Sequence, residues 1–146
     1  MGAESEKQGI FKDAGYRKLI PWKNAYDLRK TVYRITQSFP KLEYRRISQM
    51  RDAARSAKQN IQEGYRLKSR PQHVHFLGIA HASLHELAGD IEDSYDNGLI
   101  SSEQFDVLAS LVGRTDYLFR RTIDALNGSK FLRASPQSPS LSLNPP

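Results

Sequence analysis

Four segments of the chain carry apolar residues at intervals of three and four, and this spacing constrains the fold more than any other feature. Such intervals place apolar side chains on one face of an α-helix, which must then be buried against other helices. No strand-like alternation of useful length competes with this pattern. The sequence therefore predicts an all-α protein, an antiparallel up-down-up-down four-helix bundle with short links.

The signals that start and stop helices agree with this division. The first helix is predicted over about residues 22–38, between Pro21 and Pro40, and the second over about residues 43–64. The third follows residues 69–72 (Ser-Arg-Pro-Gln), which have the pattern of a capping box, and it ends at residues 97–98 (Asn-Gly). The fourth follows a second capping box at residues 101–104 and closes at residues 127–128 (Asn-Gly).

Each predicted helix has one stripe of inner positions. Small residues dominate the stripe of the second helix, so other helices can approach it closely and we expect it to be central. The stripes, in helix order, are Ala25, Leu28, Val32, Ile35 and Phe39; Ile47, Met50, Ala54, Ala57, Ile61 and Gly64; Val74, Leu77, His81, Leu84, Ala88, Ile91 and Tyr95; and Phe105, Leu108, Val112, Thr115, Phe119, Thr122 and Leu126.

The two ends of the chain differ from this pattern. Residues 1–15 are polar with three glycines, and residues 129–146 contain four prolines and five serines. Such segments bury too little apolar surface to offset the entropy of ordering, so both are predicted to be disordered and the bundle to span residues 16–128.

The chain has no cysteine, which excludes disulfides and thiolate metal sites, and no apolar stretch of membrane-spanning length. Because its first residues do not resemble a secretory signal, a cytoplasmic location is expected.

Charge is distributed unevenly along the chain. The net charge is +6, yet residues 41–70 carry nine basic and three acidic side chains, whereas residues 71–113 carry no basic and seven acidic ones. A basic helix can follow a phosphate backbone, and arginine, with its planar fork, suits phosphate particularly well. Tyr44 and Tyr65 could add stacking on unpaired bases. The predicted nucleic-acid-binding residues are Arg45, Arg46, Arg51, Arg55, Lys58, Arg66, Lys68 and Arg70.

The same cations have an alternative use. They could pair with Asp90, Glu92, Asp93 and Asp96 of the acidic third helix, either within the bundle or between subunits. In that case the protein would be a pure protein-interaction scaffold. The sequence leaves both readings open.

Signatures of catalysis are missing from the sequence. No nucleotide-binding loop, no Glu-x-x-His pair of a di-iron bundle and no nucleophile elbow is present. We therefore expect a protein that is not an enzyme, with no catalytic residues and no cofactor.

All four histidines fall on the third predicted helix. His81 and His85 are one turn apart and could share a divalent metal with carboxylates from elsewhere, although polar positions at a helix or subunit interface are the expectation and no metal site is assigned. Residues 85–89 also echo the histidine-x-leucine-lysine-glycine pattern of phosphotransfer four-helix domains. Ala88 stands where that pattern has lysine, so phosphotransfer at His85 is a remote alternative.

Several motifs resemble a known family. Residues 19–25 (Leu-Ile-Pro-Trp-Lys-Asn-Ala), 51–56 (Arg-Asp-Ala-Ala-Arg-Ser), 60–65 (Asn-Ile-Gln-Glu-Gly-Tyr), 76–80, 83–87 and 98–101 are similar, in order and spacing, to the four-helix-bundle proteins encoded in 23S rRNA intervening sequences. The resemblance covers about residues 16–126. The chain departs from the family at Arg55, Ala57 and Lys58, where an apolar residue, isoleucine and proline are usual.

The resemblance implies a cytoplasmic bacterial protein that assembles as a ring-shaped homo-oligomer, often a pentamer. A related branch comprises the accessory variability determinant proteins of diversity-generating retroelements, basic rings that bind nucleic acid and a partner reverse transcriptase. Neither branch is established as enzymatic. The matching residues Trp22, Asn60, Glu63 and Gly64 are interpreted as structural, with Gly64 permitting a tight exit from the second helix. The leading hypothesis is a non-enzymatic, oligomeric scaffold that binds RNA or DNA.

Overall fold

The computed structural model describes residues 15–67 and 69–128, and within them the protein consists of four α-helices and two short 3₁₀ segments, with no strand. The helices are α1 (Ile20–Thr36), α2 (Tyr44–Arg66), α3 (Arg70–Asp96) and α4 (Ser102–Asn127). The 3₁₀ segments are Gly15–Lys18 and Lys41–Glu43. The all-α, four-helix prediction is thus confirmed. Residues 1–14 and 129–146, which carry most of the predicted disordered ends, lie outside the described residues.

The helix termini explain where the chain turns. The capping box that opens α4 is present, since the Gln104 amide donates to the Ser101 hydroxyl and the Ser101 amide donates to the Gln104 side chain. Gly98 adopts a φ of +75°, the left-handed conformation that ends α3 and that glycine favours. The capping box predicted at Ser69 is wrong, because the Ser69 side chain accepts no cap hydrogen bond. Pro71 lies at the second helical position and has no amide hydrogen, so the Ser69 hydroxyl could accept a cap hydrogen bond only from the Gln72 amide, and that bond is not formed.

The predicted stripes form the core. Ala25, Leu28 and Val32 of α1 are fully buried, and the α2, α3 and α4 stripes contribute most of the remaining core residues. Tyr95 is an exception, being 43% exposed at the end of α3, where its ring lies against Phe105 with centroids 4.8 Å apart. The inner face of α3 is wider than its predicted stripe because it packs against both α2 and α4, which also buries Ala80, Ser83, Leu87 and Ser94.

Each helix contacts its neighbour in the chain, and α4 contacts α1, which closes the arrangement. The α2–α3 interface is the most extensive of these. Small side chains make it so: the Ser56 and Ser83 hydroxyls are 2.7 Å apart, and a Cβ built on Gly64 would lie 2.9 Å from the His73 ring. Among the described residues, no helix has both the length and the apolar character needed to cross a bilayer.

Candidate nucleic-acid interface

The cations of α2 lie on two different faces of the helix. Arg46 shares a row with Ala53 and Ser56, which line the groove between α2 and α3. Its guanidinium donates to Asp90 at 2.5 Å and lies 3.4 Å from Asp93. The Arg46 side chain is only 21% exposed. The alternative use of the cations, pairing with the acidic helix, therefore applies to Arg46, which is removed from the candidate interface.

The other row, Arg51, Arg55 and Lys58, lies on the side of α2 that faces α1. Arg51 donates from Nε to the Thr36 hydroxyl at 2.9 Å, and its guanidinium lies 4.0 Å from the centre of the Tyr33 ring. Arg55 is exposed. In the part of the chain that the structure describes, no carboxylate comes within 4.0 Å of the charged nitrogens of this row. These cations are not neutralised by α3.

Two arginines that sequence reasoning did not select join this row. Burial lowers the pKa of the Lys58 ammonium, and the charges of Arg29, Arg55 and Arg17 lower it further, in that order. Arg29 comes from α1 and Arg17 from the first 3₁₀ segment. Crowding of like charges is unfavourable for an isolated protein, and such perturbed groups concentrate where a site is arranged for a ligand. We call the set Arg17, Arg29, Arg51, Arg55 and Lys58 the basic surface.

A shallow cavity lies within the basic surface. Its volume is about 210 Å³, and four of its lining residues are Arg29, Tyr33, Arg51 and Arg55. The fifth, Asp52, is the single carboxylate of the lining. Three guanidinium groups around one concavity provide several forked donors, the arrangement that phosphate oxygens accept most readily.

Arg17 carries a donor with no internal use. Its Nε is buried without a hydrogen-bond partner among the described residues, although its guanidinium lies 5.1 Å from the centre of the Trp22 ring. Buried donors are almost always paired, so an unpaired one is unusual, although the buried Nε itself is not accessible to an external ligand. Helical periodicity could not predict a role for Arg17, because this residue precedes the first helix. The one sequence signal near it is the Pro-Trp motif at residues 21–22, which indicates that the chain is ordered close by.

The remaining predicted cations are scattered. Arg45 is exposed near the Tyr44 ring, and Arg66 is exposed 3.4 Å from Glu63 of its own helix. Arg70 is exposed at the start of α3. Lys68 lies outside the described residues. Tyr44 and Tyr65, the predicted stacking residues, are 64% and 45% exposed. The seven predicted residues that the structure describes therefore do not form one continuous site.

The residues interpreted as structural make mostly internal contacts. The Trp22 indole donates to Gln62 at 2.9 Å, and Asn60 donates to the Ser56 carbonyl one turn earlier at 2.9 Å. Glu63 lies near Arg66, as described above. The helix continues to Arg66, so Gly64 does not end it; Gly64 instead gives room to α3, where the His73 ring packs against it.

A second polar cluster joins α3 to α4. Asp116 of α4 is 1% exposed, and its Oδ1 lies 2.5 Å from His81 Nε2 and 3.6 Å from His85 Nε2. Arg120 donates to its other oxygen at 3.0 Å. Burial alone would raise the pKa of Asp116, but the His81 hydrogen bond and the Arg120 charge outweigh it and lower the pKa. The pKa of His85 is lowered by burial and then by His81. Sequence reasoning missed Asp116 because it adjoins an otherwise apolar stripe.

The fold and the site define a class: an all-α, four-helix protein whose second helix directs Arg46 towards the acidic α3 and the row Arg51, Arg55 and Lys58 towards α1, where it forms part of the basic surface. Neither cluster contains a nucleophile activated by a base in the part of the chain that the structure describes.

Comparison with known families is consistent with that class. A family model described as 23S rRNA-intervening sequence protein matches residues 17–118, from the first 3₁₀ segment into α4. The match covers more than half of the 146 residues, and the chain belongs to this family. The resemblance inferred from the motifs is thereby confirmed. Comparison with curated proteins gives no match.

Proposed function

We propose that the protein is a non-enzymatic, oligomeric scaffold that binds RNA or DNA through the basic surface. The observation that carries this proposal is the position of Arg51, Arg55 and Lys58, which face α1 and the arginines Arg17 and Arg29 rather than the carboxylates of α3. A bound polyanion would neutralise these closely spaced cations and relieve their mutual repulsion. Each phosphate contact would also release condensed counterions, which favours binding.

The recognition expected from this surface is of the phosphate backbone and not of base sequence. Guanidinium groups dominate it, and they bind phosphate oxygens through paired donors. Asp52, the single carboxylate of the cavity lining, would repel a phosphate, so we expect phosphates to lie beside the arginines instead. Tyr33, which is 46% exposed and lies against the Arg51 guanidinium, is an aromatic side chain that a base could approach.

The assembly proposed for this function is an up-down-up-down bundle that forms a ring, with five subunits as the expected number. The contacts between α2 and α3 support this bundle order, because the start of α2 meets the end of α3 and the end of α2 meets the start of α3, as in antiparallel helices. Arg46 meets Asp90 while Gly64 meets His73. The ring, a cytoplasmic bacterial setting and a role beside a retroelement reverse transcriptase or an rRNA intervening element are expectations from family resemblance.

The test compares two double charge reversals that change the net charge equally. Arg55→Glu with Lys58→Glu alters the basic surface, whereas Arg114→Glu with Arg121→Glu alters exposed arginines of α4. Fluorescence anisotropy with labelled, mixed-sequence single-stranded RNA and duplex DNA is measured across salt concentrations. Wild type should bind in the micromolar range, with a slope of log affinity against log salt of about −3.5 for single strands if five phosphates are contacted.

The first variant should lose at least tenfold in affinity and about 1.4 units of slope, and the control should lose far less. Equal losses in both variants would indicate only a net-charge effect and would refute the basic surface as the site. Undetectable or salt-independent binding by an intact oligomer would refute nucleic-acid binding altogether.

A second function is favoured by the groove between α2 and α3. Asp52, Glu86 and Asp90 line this groove beside small residues, so it could receive the basic surface of another subunit. The protein would then be a pure interaction scaffold. In that case the Arg55 and Lys58 reversals would dissociate the oligomer, seen as a lower mass in light scattering, and nucleic acid would not bind to wild type.

A further inference from the structure

We propose that His81, His85 and Asp116 form a binding site for one divalent transition-metal ion of the Zn²⁺ type. The site lies between α3 and α4 and is separate from the basic surface, which belongs to α1, α2 and the segment before them. It does not depend on the proposed nucleic-acid binding.

The donor atoms already converge. The ligand atoms of the three residues all lie within 4.8 Å of one another, and both imidazole Nε2 atoms face the same oxygen, Asp116 Oδ1. Histidines at i and i+4 of a helix project from one face and are a recurrent zinc-binding pair. A tetrahedral ion with bonds of about 2.0–2.2 Å holds its ligands about 3.3 Å apart, so rotations of the two partly exposed histidine side chains would close the site.

The surroundings hold these ligands in place. Asp116 is buried, and Arg120 occupies its Oδ2, which leaves Oδ1 directed towards the histidines. The His81 ring also packs edge-on against Phe119, with centroids 6.4 Å apart. An outer partner that fixes a ligating carboxylate and an apolar wall beside a ligating histidine are typical of the shell around metal sites.

The ligand set selects the class of ion. Two imidazoles and one carboxylate suit Zn²⁺ and its late first-row neighbours, whereas Mg²⁺ prefers oxygen ligands. His85 is 46% exposed, so an ion bound here would remain open to solvent on one side. Three protein ligands with a solvent position is the arrangement that zinc tolerates in open sites.

The alternative is that the cluster is only a hydrogen-bonded network that satisfies the buried Asp116. A network of this kind needs His81 and Arg120 but gains little from His85, whose Nε2 is 3.6 Å from Oδ1, beyond hydrogen-bond distance. A metal, in contrast, needs His85 as a ligand. His85 is therefore the residue that separates the two readings.

The experiment titrates Zn²⁺ into the tag-free full chain in competition with a chromophoric zinc indicator. Wild type should bind one Zn²⁺ per chain, and millimolar Mg²⁺ should not displace it. His85→Gln and Asp116→Asn should each weaken binding at least about tenfold, the loss seen even for outer partners of metal sites. His75→Gln, which removes an exposed histidine from the same helix, should bind as wild type does.

Thermal unfolding provides a second readout, because a ligand that binds only the folded state raises the Tm. Zn²⁺ should raise the Tm of wild type and His75→Gln but not that of His85→Gln, a partly exposed substitution that leaves the buried Asp116 network intact. The site is refuted if wild type does not bind Zn²⁺, or if His85→Gln binds as tightly as wild type. Displacement of the ion by Mg²⁺ would refute the ligand set.

Discussion

Replacing Lys58 by methionine should make the isolated protein more stable and a weaker binder of nucleic acid. Lys58 is half-buried, and three arginine charges add to the effect of burial in lowering its pKa. Methionine keeps an unbranched apolar chain of similar length in the helix while removing the charge. The substitution therefore tests whether the basic surface holds its cations against their mutual repulsion.

The magnitude follows from the pairs that are removed. Like-charged side chains three or four positions apart on a helix cost about 0.2–0.5 kcal/mol per pair; applying this value to each of the three arginines, two of which lie on other elements, gives a relief of about 1 kcal/mol. Against this, Lys58 Nζ donates to Gln59 and Gln62 at 3.2 Å, and loss of these partly exposed hydrogen bonds offsets part of the gain. We expect a net increase of about 0.5–1 kcal/mol in the free energy of unfolding, or about 2–5 °C in Tm.

Salt and pH distinguish this mechanism from a simple gain in packing. The advantage of Lys58→Met should shrink at about 1 M salt, where the Debye length falls to about 3 Å. It should also shrink as the pH rises towards 10.5, the ordinary lysine value, because the pKa in the folded state is lower and the unfolded chain then binds more protons. Stability of the wild type relative to the variant therefore increases with pH in that window.

The assay is thermal unfolding followed by circular dichroism, with Arg121→Met of α4 as the matched control. Arg121 is exposed on a helix that does not contact α2 among the described residues, so its replacement should change Tm little. In binding measurements Lys58→Met should reduce the salt slope by about 0.7–0.9, the contribution of one phosphate contact. A variant that is less stable than wild type at low salt, or equally stabilised at all salt concentrations, would refute the repulsion argument.

Three further predictions concern packing, each measured by urea unfolding. Gly64→Val should lower the free energy of unfolding by about 1–3 kcal/mol, because α3 fills the space beside this glycine. Gly89→Ala should raise it by about 0.5–1 kcal/mol, because the added Cβ would meet nothing within 4 Å. Equal effects of the two substitutions would contradict the close approach of α2 and α3. Arg46→Ala should lower the free energy of unfolding by about 1–3 kcal/mol, because it leaves the partly buried Asp90 without its cation. Nucleic-acid affinity should change little. A loss in affinity as large as that of the basic-surface reversals would show that Arg46 belongs to the interface. Phe119→Ala should cost about 3–5 kcal/mol as the largest fully buried side chain, and a cost below 1 kcal/mol would contradict its burial.

The sequence predicted the helices well because helical periodicity and caps are local. The stripe from Ala25 to Phe39 is buried throughout, and the Ser101 capping box is present in detail. Gly98 ends α3 as expected because only a left-handed conformation turns the chain there, and glycine adopts it without strain. Each of these features is set by residues within about one turn of one another.

The site was less predictable because it depends on how the helices are rotated against each other. The spacing of Arg51, Arg55 and Lys58 shows that they share one side of α2, but not which helix that side faces. Two small residues beside the predicted α2 stripe, Ala53 and Ser56, line the groove with α3, and Arg46 lies on the same side of the helix. Arg17 and Arg29 then join the opposite face from separate elements, a juxtaposition that no periodicity within α2 encodes.

The separation of the two rows has a consequence for how charge is used in this fold. If all the cations of α2 faced α3, each would be neutralised within the bundle and the net charge of +6 would have little local effect. Among the described residues Arg46 is the α2 cation that pairs with carboxylates of α3, so the acidic helix receives one partly buried cation, whereas Arg51, Arg55 and Lys58 lie on the α1 side with Arg17 and Arg29. Burial raises the pKa of Asp90 overall, and the hydrogen bond and charge of Arg46 offset only part of that rise. One helix thus contributes an ion pair with α3 on one face and, under the proposed function, part of a polyanion-binding surface on another, and we expect a charge reversal at either face to affect one property and leave the other.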